Sequence, residues 1–580
     1  MYLARQNQAS RMSTLVQKWR SIDPSNRLFY IFLFCWTIAG CLQSAFMELS
    51  GEEAYYWMFA QQLEWGFLDH PPLVAFFTQL GYFWLPTNLG ARLFMVLLST
   101  GTLYVLYRTL EPRNPRLLIT MALGLVAFHA GSFLIKTDVP LIFFEALFLL
   151  AYKEYLKEDG WKQILLMGFS IAGMFLSKYH GALVVLLVVA SYPAVAKRKS
   201  FWAVVGLVVL LMLPHTYWQY THDWASIRFH LQGRSDITFK WNNLFNYLWS
   251  QPLMLGPLVS LVLMPAAFLY KSQDRFERAL RFVFIGVLVF FLLSSIRVYI
   301  HKHWTSIALL PGLILAYNYL IPREKWQKHL RTLTLITLVL LVPARLYYAY
   351  DFVPDKWDGK LEALHNWQSW AEELDSIAGE REIVFLNSYE NASRYTYMTG
   401  EPAHCVSNYF FNNTHFDYWD GEDRLQGKSV FLINNKRKNQ EFKTYNTGIN
   451  VQIRYREIDN YRSYSKVWVE PLDEIEDMQA GEERKLRLLV TNKHSYRVST
   501  KNNPELPPYL GYFFLKGQGR GYSDGLTAEA LELAPGESVE MEFTVKAPEK
   551  PGNYQLRFGV QTAWIPATIN SRRHSLKVTD

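Results

Sequence analysis

Cysteine is scarce: 580 residues contain three, Cys35, Cys41 and Cys405. Two of them share the first apolar run and the third is distant, so there is no CxxC pair and no metal-type Cys/His spacing. A disulfide-built secreted domain is therefore disfavoured. Charge is also sparse in the first part of the chain. Residues 1–349 hold 48 charged residues, about 14%, whereas residues 350–580 hold 62 in 231, about 27%. So apolar a front part argues against a soluble enzyme and against a disordered scaffold. There is no internal repeat and no low-complexity segment. The length itself exceeds what a single core organises and indicates two or three domains.

The charge has a direction. The front part carries 31 basic and 17 acidic residues, and the tail 28 and 34, for an overall net charge of +8. A basic chain often meets nucleic acid, but here the positive excess lies between long apolar runs, as in a membrane protein. With about 20 apolar residues needed per crossing, eleven spans are expected, at roughly 28–47, 91–110, 117–135, 138–156, 162–177, 180–196, 200–218, 251–270, 280–297, 303–321 and 332–349. The first follows polar residues and precedes no small-residue cleavage site, so it reads as an anchor. With the N-terminus in the cytoplasm, 22 of the 31 basic residues fall on the cytoplasmic side. The positive-inside bias thus predicts an extracytoplasmic tail, together with outer loops at 48–90, 136–138, 178–180, 219–250 and 298–302.

The tail changes texture twice. Residues 354–378 show helical spacing (Leu361, Leu364, Trp367, Trp370, Leu374). Strand-like runs follow at 383–386 and 430–433, with a helix expected near 389–398 between them. Beyond about 471, alternating runs at 484–490, 538–545 and 554–560 are separated by Pro-Gly turns, the rhythm of a β-sandwich. The expected architecture is a polytopic α-helical membrane domain over 1–350, an extracytoplasmic α/β region over 351–470 and an Ig-like β-sandwich over 471–580.

Chemistry-bearing residues gather in the outer loops. Ser50 followed by Glu53 is a capping-box pattern that starts a helix near Gly51. Glu52 then lies in the first turn, where the macrodipole favours an ionised carboxylate. Such a group can accept a proton from a hydroxyl, or simply complete the cap, which is the plainer role for Glu53. The aromatics Tyr55, Tyr56, Trp57, Trp65 and Phe67 suit an interfacial helix. Asp69-His70-Pro71-Pro72 is a stiff extended segment, since a residue before proline avoids helix. It holds His70 in a fixed direction, or serves only as a stiffener. Asp138 stands at the mouth of the bundle, where a carboxylate is costly unless used or paired; Lys136 is a neighbouring counter-charge. Lys178 lies in a very short outer loop and snorkelling is its ordinary role. Arg228 and Arg234 are suited to grip a phosphate. His222, Asp223, Arg297, Lys302 and His303 add polar groups to the same side. A phosphate-bearing lipid fits this set, with its chain in the bilayer and its head at the rim.

Several segments in order resemble one family: Gly51-Glu-Glu-Ala-Tyr-Tyr-Trp57, Trp65-Gly-Phe-Leu-Asp-His-Pro-Pro-Leu73, Thr137-Asp-Val-Pro-Leu141, Leu176-Ser-Lys-Tyr179, His222-Asp-Trp-Ala-Ser226 and His303-Trp304. Over about 1–350 the chain is similar to the GT-C membrane glycosyltransferases. It looks most like bacterial relatives of the protein O-mannosyltransferases and of the aminoarabinose transferase that modifies lipid A. The resemblance implies inverting transfer of a sugar, hexose or pentose, from a polyprenyl-phosphate donor to an acceptor hydroxyl on a lipid, glycan or protein, with no nucleic acid involved. It implies that Glu52 takes the position of the usual family Asp as catalytic base, and that Asp138 matches a second acidic position near the donor phosphate. His70, Lys178, Arg228 and Arg234 would hold that phosphate. Glu53, Asp69, His222, Asp223 and His303 would support the site. No tightly bound cofactor is expected; a divalent ion remains possible, with Asp69 and Asp138 as its candidate ligands. Two other classes stay open on the residues alone. A transporter calls for broken or charged mid-membrane segments and an inverted repeat, and a sensory protein does not need the acid-rich first loop.

Overall fold

The computed structural model describes residues 21, 23–232, 241–353, 365–408, 413–434, 442–449, 451–516, 520–526, 530–562 and 565–580. These form two compact units: Met1–Glu48, Phe59–Trp224 and Phe239–Val353 in the first, and Leu49–Met58, Ala225–Thr238 and Pro354–Asp580 in the second.

The first unit is helical. Its elements, with two short helices that lie wholly or partly in the second unit, are α1 (Pro24–Phe46), α2 (Gly51–Gln61), α3 (Leu73–Trp84), α4 (Asn88–Thr109), α5 (Pro115–Gly124), α6 (Val126–Gly131), α7 (Asp138–Lys157), α8 (Trp161–Ser177), α9 (Gly181–Ser191), α10 (Lys199–Thr221), α11 (Ala225–Gln232), α12 (Trp241–Leu255), α13 (Ser260–Leu269), α14 (Arg275–Ser295), α15 (Leu309–Leu320) and α16 (Glu324–Ala349). Local chemistry sets many of the starts. Asp23 caps α1 through Ser25 and Asn26 with Pro24 in the first turn, and Asn114 caps α5 ahead of Pro115. Helix α4 packs on α1, α3 and α7, while α8 packs on α7 and α10. Close approach depends on small residues: a Cβ at Gly173 of α8 would come within 2.4 Å of the Phe144 ring of α7.

Each of the eleven expected windows is largely helical, but several are broken. The 117–135 window splits at Leu125 into α5 and α6, and 251–270 contains the junction of α12 and α13, which bend by 104°. Among the described residues four helices are individually long and apolar enough to cross a membrane (α1, α4, α10 and α16), or five crossings if the bent pair is one. Helix α3, in the expected outer loop 48–90, was not foreseen. Its apolar run is only 12 residues and begins directly after Pro71-Pro72. Residues 219–250 likewise contain α11 and the start of α12 rather than only loop.

The second unit is rich in sheet. The helix Trp367–Ala378 (α17) leads to β1 (Glu382–Leu386), α18 (Tyr389–Thr399), β2 (His404–Val406), α19 (Gly421–Leu425), β3 (Val430–Ile433), β4 (Lys443–Asn446) and β5 (Gln452–Ile458). The earlier part of the 354–378 helical expectation, 354–364, lies outside the described residues. The five strands form one sheet in the order β2-β1-β3-β5-β4, parallel across β2, β1 and β3 and antiparallel beyond. Then come β6 (Val467–Pro471), β7 (Met478–Gln479), β8 (Glu483–Asn492), β9 (Tyr509–Lys516), β10 (Arg520–Leu526), β11 (Ser538–Lys546), β12 (Gly552–Gln561) and β13 (His574–Thr579). They make a five-stranded sheet, β10-β9-β12-β13-β7, and a three-stranded one, β11-β8-β6. Leu488, Val490 and Val545 from the second share one buried cluster with Phe514, Leu556 and Val578 from the first. Positive φ at Gly536 and Gly552 marks the turns before β11 and β12.

Candidate active site

In the first unit the polar residues converge at two adjoining points. The start of α7 and the end of α8 meet there, because antiparallel neighbours bring Asp138 beside Lys178. The Lys178 ammonium donates to both Asp138 oxygens at 2.9 Å, and the Ser306 hydroxyl donates to Asp138 Oδ1 at 2.6 Å. The side chains of the pair are only 6% and 13% exposed. Ser306 comes from a 3₁₀ turn, Lys302–Ala308, which also carries His303. The counter-charge of Asp138 is therefore Lys178, forty residues away, rather than the adjacent Lys136. A helix geometry explains the choice: Lys136 precedes the first turn of α7, whereas Lys178 extends from the end of the helix packed alongside. Among the described residues no group of three or more His, Cys, Asp or Glu side chains could hold a metal ion. Asp69 and Asp138 are thus not part of such a group.

Tyr179 continues directly into the second point. Its hydroxyl pairs with His215 Nε2 at 3.1 Å and accepts from Gln219 at 3.0 Å, while His215 Nδ1 lies 2.6 Å from the Trp65 carbonyl. A carbonyl only accepts, so Nδ1 carries the proton and Nε2 is left to accept. Further along α10, Trp218 donates to Glu64 at 2.5 Å and stacks on His222 at 4.3 Å between ring centroids. The Trp218 ring lies so close to Gly66 that a Cβ there would come within 2.4 Å of it. This explains the glycine in the Trp65-Gly66 segment. Phe59 and Phe67 stack at 4.1 Å, and the Phe67 N–H donates to the His70 carbonyl at 3.0 Å. His70 and Asp69 stand 3.8 Å apart. The Trp65–Leu73 segment is thereby fastened to the end of α10, and His222 is 3.9 Å from Glu64.

The second unit holds Glu52, Glu53 and Arg228, and Asp223 lies just before it at the end of the first. Glu53 is buried and closes the capping box: it accepts from the Ser50 N–H at 3.1 Å and the Ser50 hydroxyl at 2.9 Å. Glu52, one residue earlier, is exposed at the start of α2. The helix is held by the tail. The Tyr55 hydroxyl accepts from the His415 N–H at 2.8 Å, and its ring packs on Tyr389 and Phe416. Gly51 is again a point of contact, since a Cβ there would lie 2.6 Å from Glu390 Cβ. Arg228 is half-buried on α11. Arg234 lies outside the described residues. Asp223 and Trp224, at the junction of α10 and α11, both take positive φ, 55° and 58°. Such values are uncommon for residues with a side chain.

Glu64, His215, Trp218 and Ser306 were not singled out from the sequence, and Tyr179 entered only as the last residue of the Leu176-Ser-Lys-Tyr179 segment, with no role of its own. For His215 a signal existed: Pro214-His215 interrupts an apolar run, and a polar residue within a span commonly marks function.

Comparison with known proteins finds similarity over part of these segments. Residues 69–218 match the family model for dolichyl-phosphate-mannose-protein mannosyltransferase. The lipid A galacturonosyltransferase of Rhizobium johnstonii is 26% identical over 305 residues, 48% of this chain and 62% of that protein. The chain therefore spans less than two thirds of that relative's length. ArnT from Cupriavidus metallidurans matches in its apo state with a TM-score of 0.54 at 15% identity, over 74% of this chain and 97% of ArnT. Its structure bound to undecaprenyl phosphate matches at 0.53 and 14% identity, over the same shares. This chain, which the apolar helices and these matches support as a multi-pass membrane protein, has the GT-C fold of ArnT and is similar to these glycosyltransferases.

Proposed function

We propose that this protein transfers a sugar from a polyprenyl-phosphate donor to a hydroxyl of a lipid acceptor, with inversion, at the extracytoplasmic face of the membrane. The reading takes eleven spans with the N-terminus inside, and a tail outside made of an α/β region to about 470 and a β-sandwich after it. A lipid acceptor and a polyprenyl-phosphate donor are supported by relatives that act on lipid A or bind undecaprenyl phosphate. The observation that carries the proposal is the buried Asp138–Lys178–Ser306 group joined, through Tyr179, to the Trp65–His70 segment. Ionisable groups buried in a membrane domain are rare and commonly mark a substrate or ion site.

In this mechanism Glu52 takes the proton from the acceptor hydroxyl as its oxygen attacks the anomeric carbon. The bond from that carbon to the phosphate oxygen breaks, and the electron pair leaves with polyprenyl phosphate. Lys178, His70, Arg228 and Arg234 stabilise the growing phosphate charge. Asp138 fixes the direction of the Lys178 ammonium and orients the donor. Asp69, His222, Asp223 and His303 complete the polar surroundings, and Glu53 sets the turn that presents Glu52. The role of a divalent ion is tested by chelation.

The test is transfer of radiolabelled sugar from a polyprenyl-phosphate donor to lipid A by the purified full-length protein. Glu52→Gln is expected to abolish transfer while leaving expression and melting temperature unchanged. Undiminished turnover in that variant would remove Glu52 from the mechanism.

A further inference from the structure

A second cationic position lies away from this site, at the seam between α1 and α16. Arg345 reaches from α16 to Gln43 of α1, its Nε donating to Gln43 Oε1 at 3.3 Å, while Gln43 Nε2 donates back to the Arg345 carbonyl at 3.0 Å. Its Nη1 donates to His129 Nδ1 on α6 at 3.0 Å, and the guanidinium faces the Phe133 ring at 5.0 Å. His129 Nε2 is engaged with the Leu123 carbonyl at 2.9 Å. That carbonyl only accepts, so the proton is on Nε2 and Nδ1 is a neutral acceptor.

Every partner of Arg345 is thus uncharged, and among the described residues it makes no ion pair. The contrast with Lys178, bonded to both oxygens of a carboxylate, is direct. A guanidinium in an apolar setting calls for an anion. The side chain is only half-buried, so it is accessible from one side. The residues next to this contact along the two helices are apolar and exposed: Leu42 and Phe46 of α1 are 55% and 54% exposed, and Leu346 of α16 is 51% exposed. Phe46 packs against Tyr350 at 5.3 Å where the two helices end. With Nε and Nη1 engaged, Nη2 is the guanidinium nitrogen left for a phosphate oxygen, and exposed apolar side chains on the same two helices suit acyl chains.

We propose that the seam of α1 and α16 binds an anionic glycerophospholipid of the bilayer, its phosphate on Arg345 and its acyl chains along Leu42, Phe46 and Leu346. The commitment to a bilayer phospholipid rests on the exposed apolar residues of α1 and α16 next to Arg345 and on its uncompensated charge.

The experiment is native mass spectrometry of the full-length protein in detergent with phosphatidylglycerol, phosphate-free diacylglycerol and polyprenyl phosphate. One phosphatidylglycerol is expected to be retained and diacylglycerol not. Arg345→Gln should weaken phosphatidylglycerol binding at least about tenfold, the loss of one charge-assisted contact, and Arg345→Lys should weaken it less. Equal retention of phosphatidylglycerol by Arg345→Gln overturns the proposal. So does equal binding of diacylglycerol and phosphatidylglycerol by the unaltered protein, which decides the matter even if the variant fails to fold. Loss of polyprenyl phosphate alone in Arg345→Gln overturns it as well.

Discussion

Lys178 donates to both carboxylate oxygens of Asp138 at 2.9 Å, and both side chains are almost entirely buried. The two residues end and begin neighbouring helices, so the pair ties α8 to α7 at the place where the candidate site begins. A buried pair of this kind is costly to break from one side, because the remaining charge is left without compensation.

Single replacements of this pair are therefore expected to be worse for stability than the double one. Lys178→Met and Asp138→Asn should each cost about 3–5 kcal/mol, and the double variant less than their sum. Thermal melting of the purified protein, arranged as a double-mutant cycle, measures this. All three variants are expected to lose sugar transfer.

Gly66 is expected to tolerate no side chain. Its Cβ position is 2.4 Å from Trp218, so Gly66→Ala overpacks the contact and should destabilise by about 1–3 kcal/mol. Trp218→Phe in the same chain should recover part of that loss. A Gly66→Ala protein that melts with the parent would show that the Trp65–Leu73 segment does not rest on α10.

Glu52 and Glu53 should separate cleanly in function and stability. Glu53→Ala removes the carboxylate that accepts from Ser50 and is expected to cost about 1 kcal/mol. Glu53→Gln keeps an acceptor oxygen and should cost less. Glu52→Gln, at an exposed position, should leave the melting temperature unchanged and remove activity. The two readouts reversed would exchange the roles assigned to these neighbours.

His404 predicts a pH dependence for the tail. It is buried in β2, and burial is the main reason its imidazole is lowered from 6.5 to about 3, with Arg424 acting in the same direction. The folded form then binds fewer protons than the unfolded form between about pH 3 and 6.5. Stability from this group is complete above pH 6.5 and is lost as pH falls through that window, by at most about 1.4 kcal/mol per pH unit. His404→Gln should flatten the acid side of a plot of melting temperature against pH, relative to the parent. Parallel curves would indicate that His404 charges freely in the fold.

Much of the fold is legible because its causes are local. Apolar run length announces the helices, and all eleven windows are largely helical. Alternation announces β8, β11 and β12, whose bounds match the runs at 484–490, 538–545 and 554–560 within a few residues. Ser50 and Glu53, three apart, disclose their cap for the same reason. The breaks at Leu125 and between α12 and α13 are less legible, because apolar composition is continuous across them.

The site is different in kind. The sequence alone determined that a chain with a strongly apolar front part presents Glu52, Asp138, Lys178 and their neighbours in a family-like order, since composition and spacing are properties of short stretches. Only the tertiary structure decided that Asp138 answers to Lys178 rather than to Lys136, and that Trp65 answers to His215, 150 residues on. Those partners are chosen by which helix ends pack together, and helix packing is set by side-chain fit across the whole bundle, which no local pattern encodes.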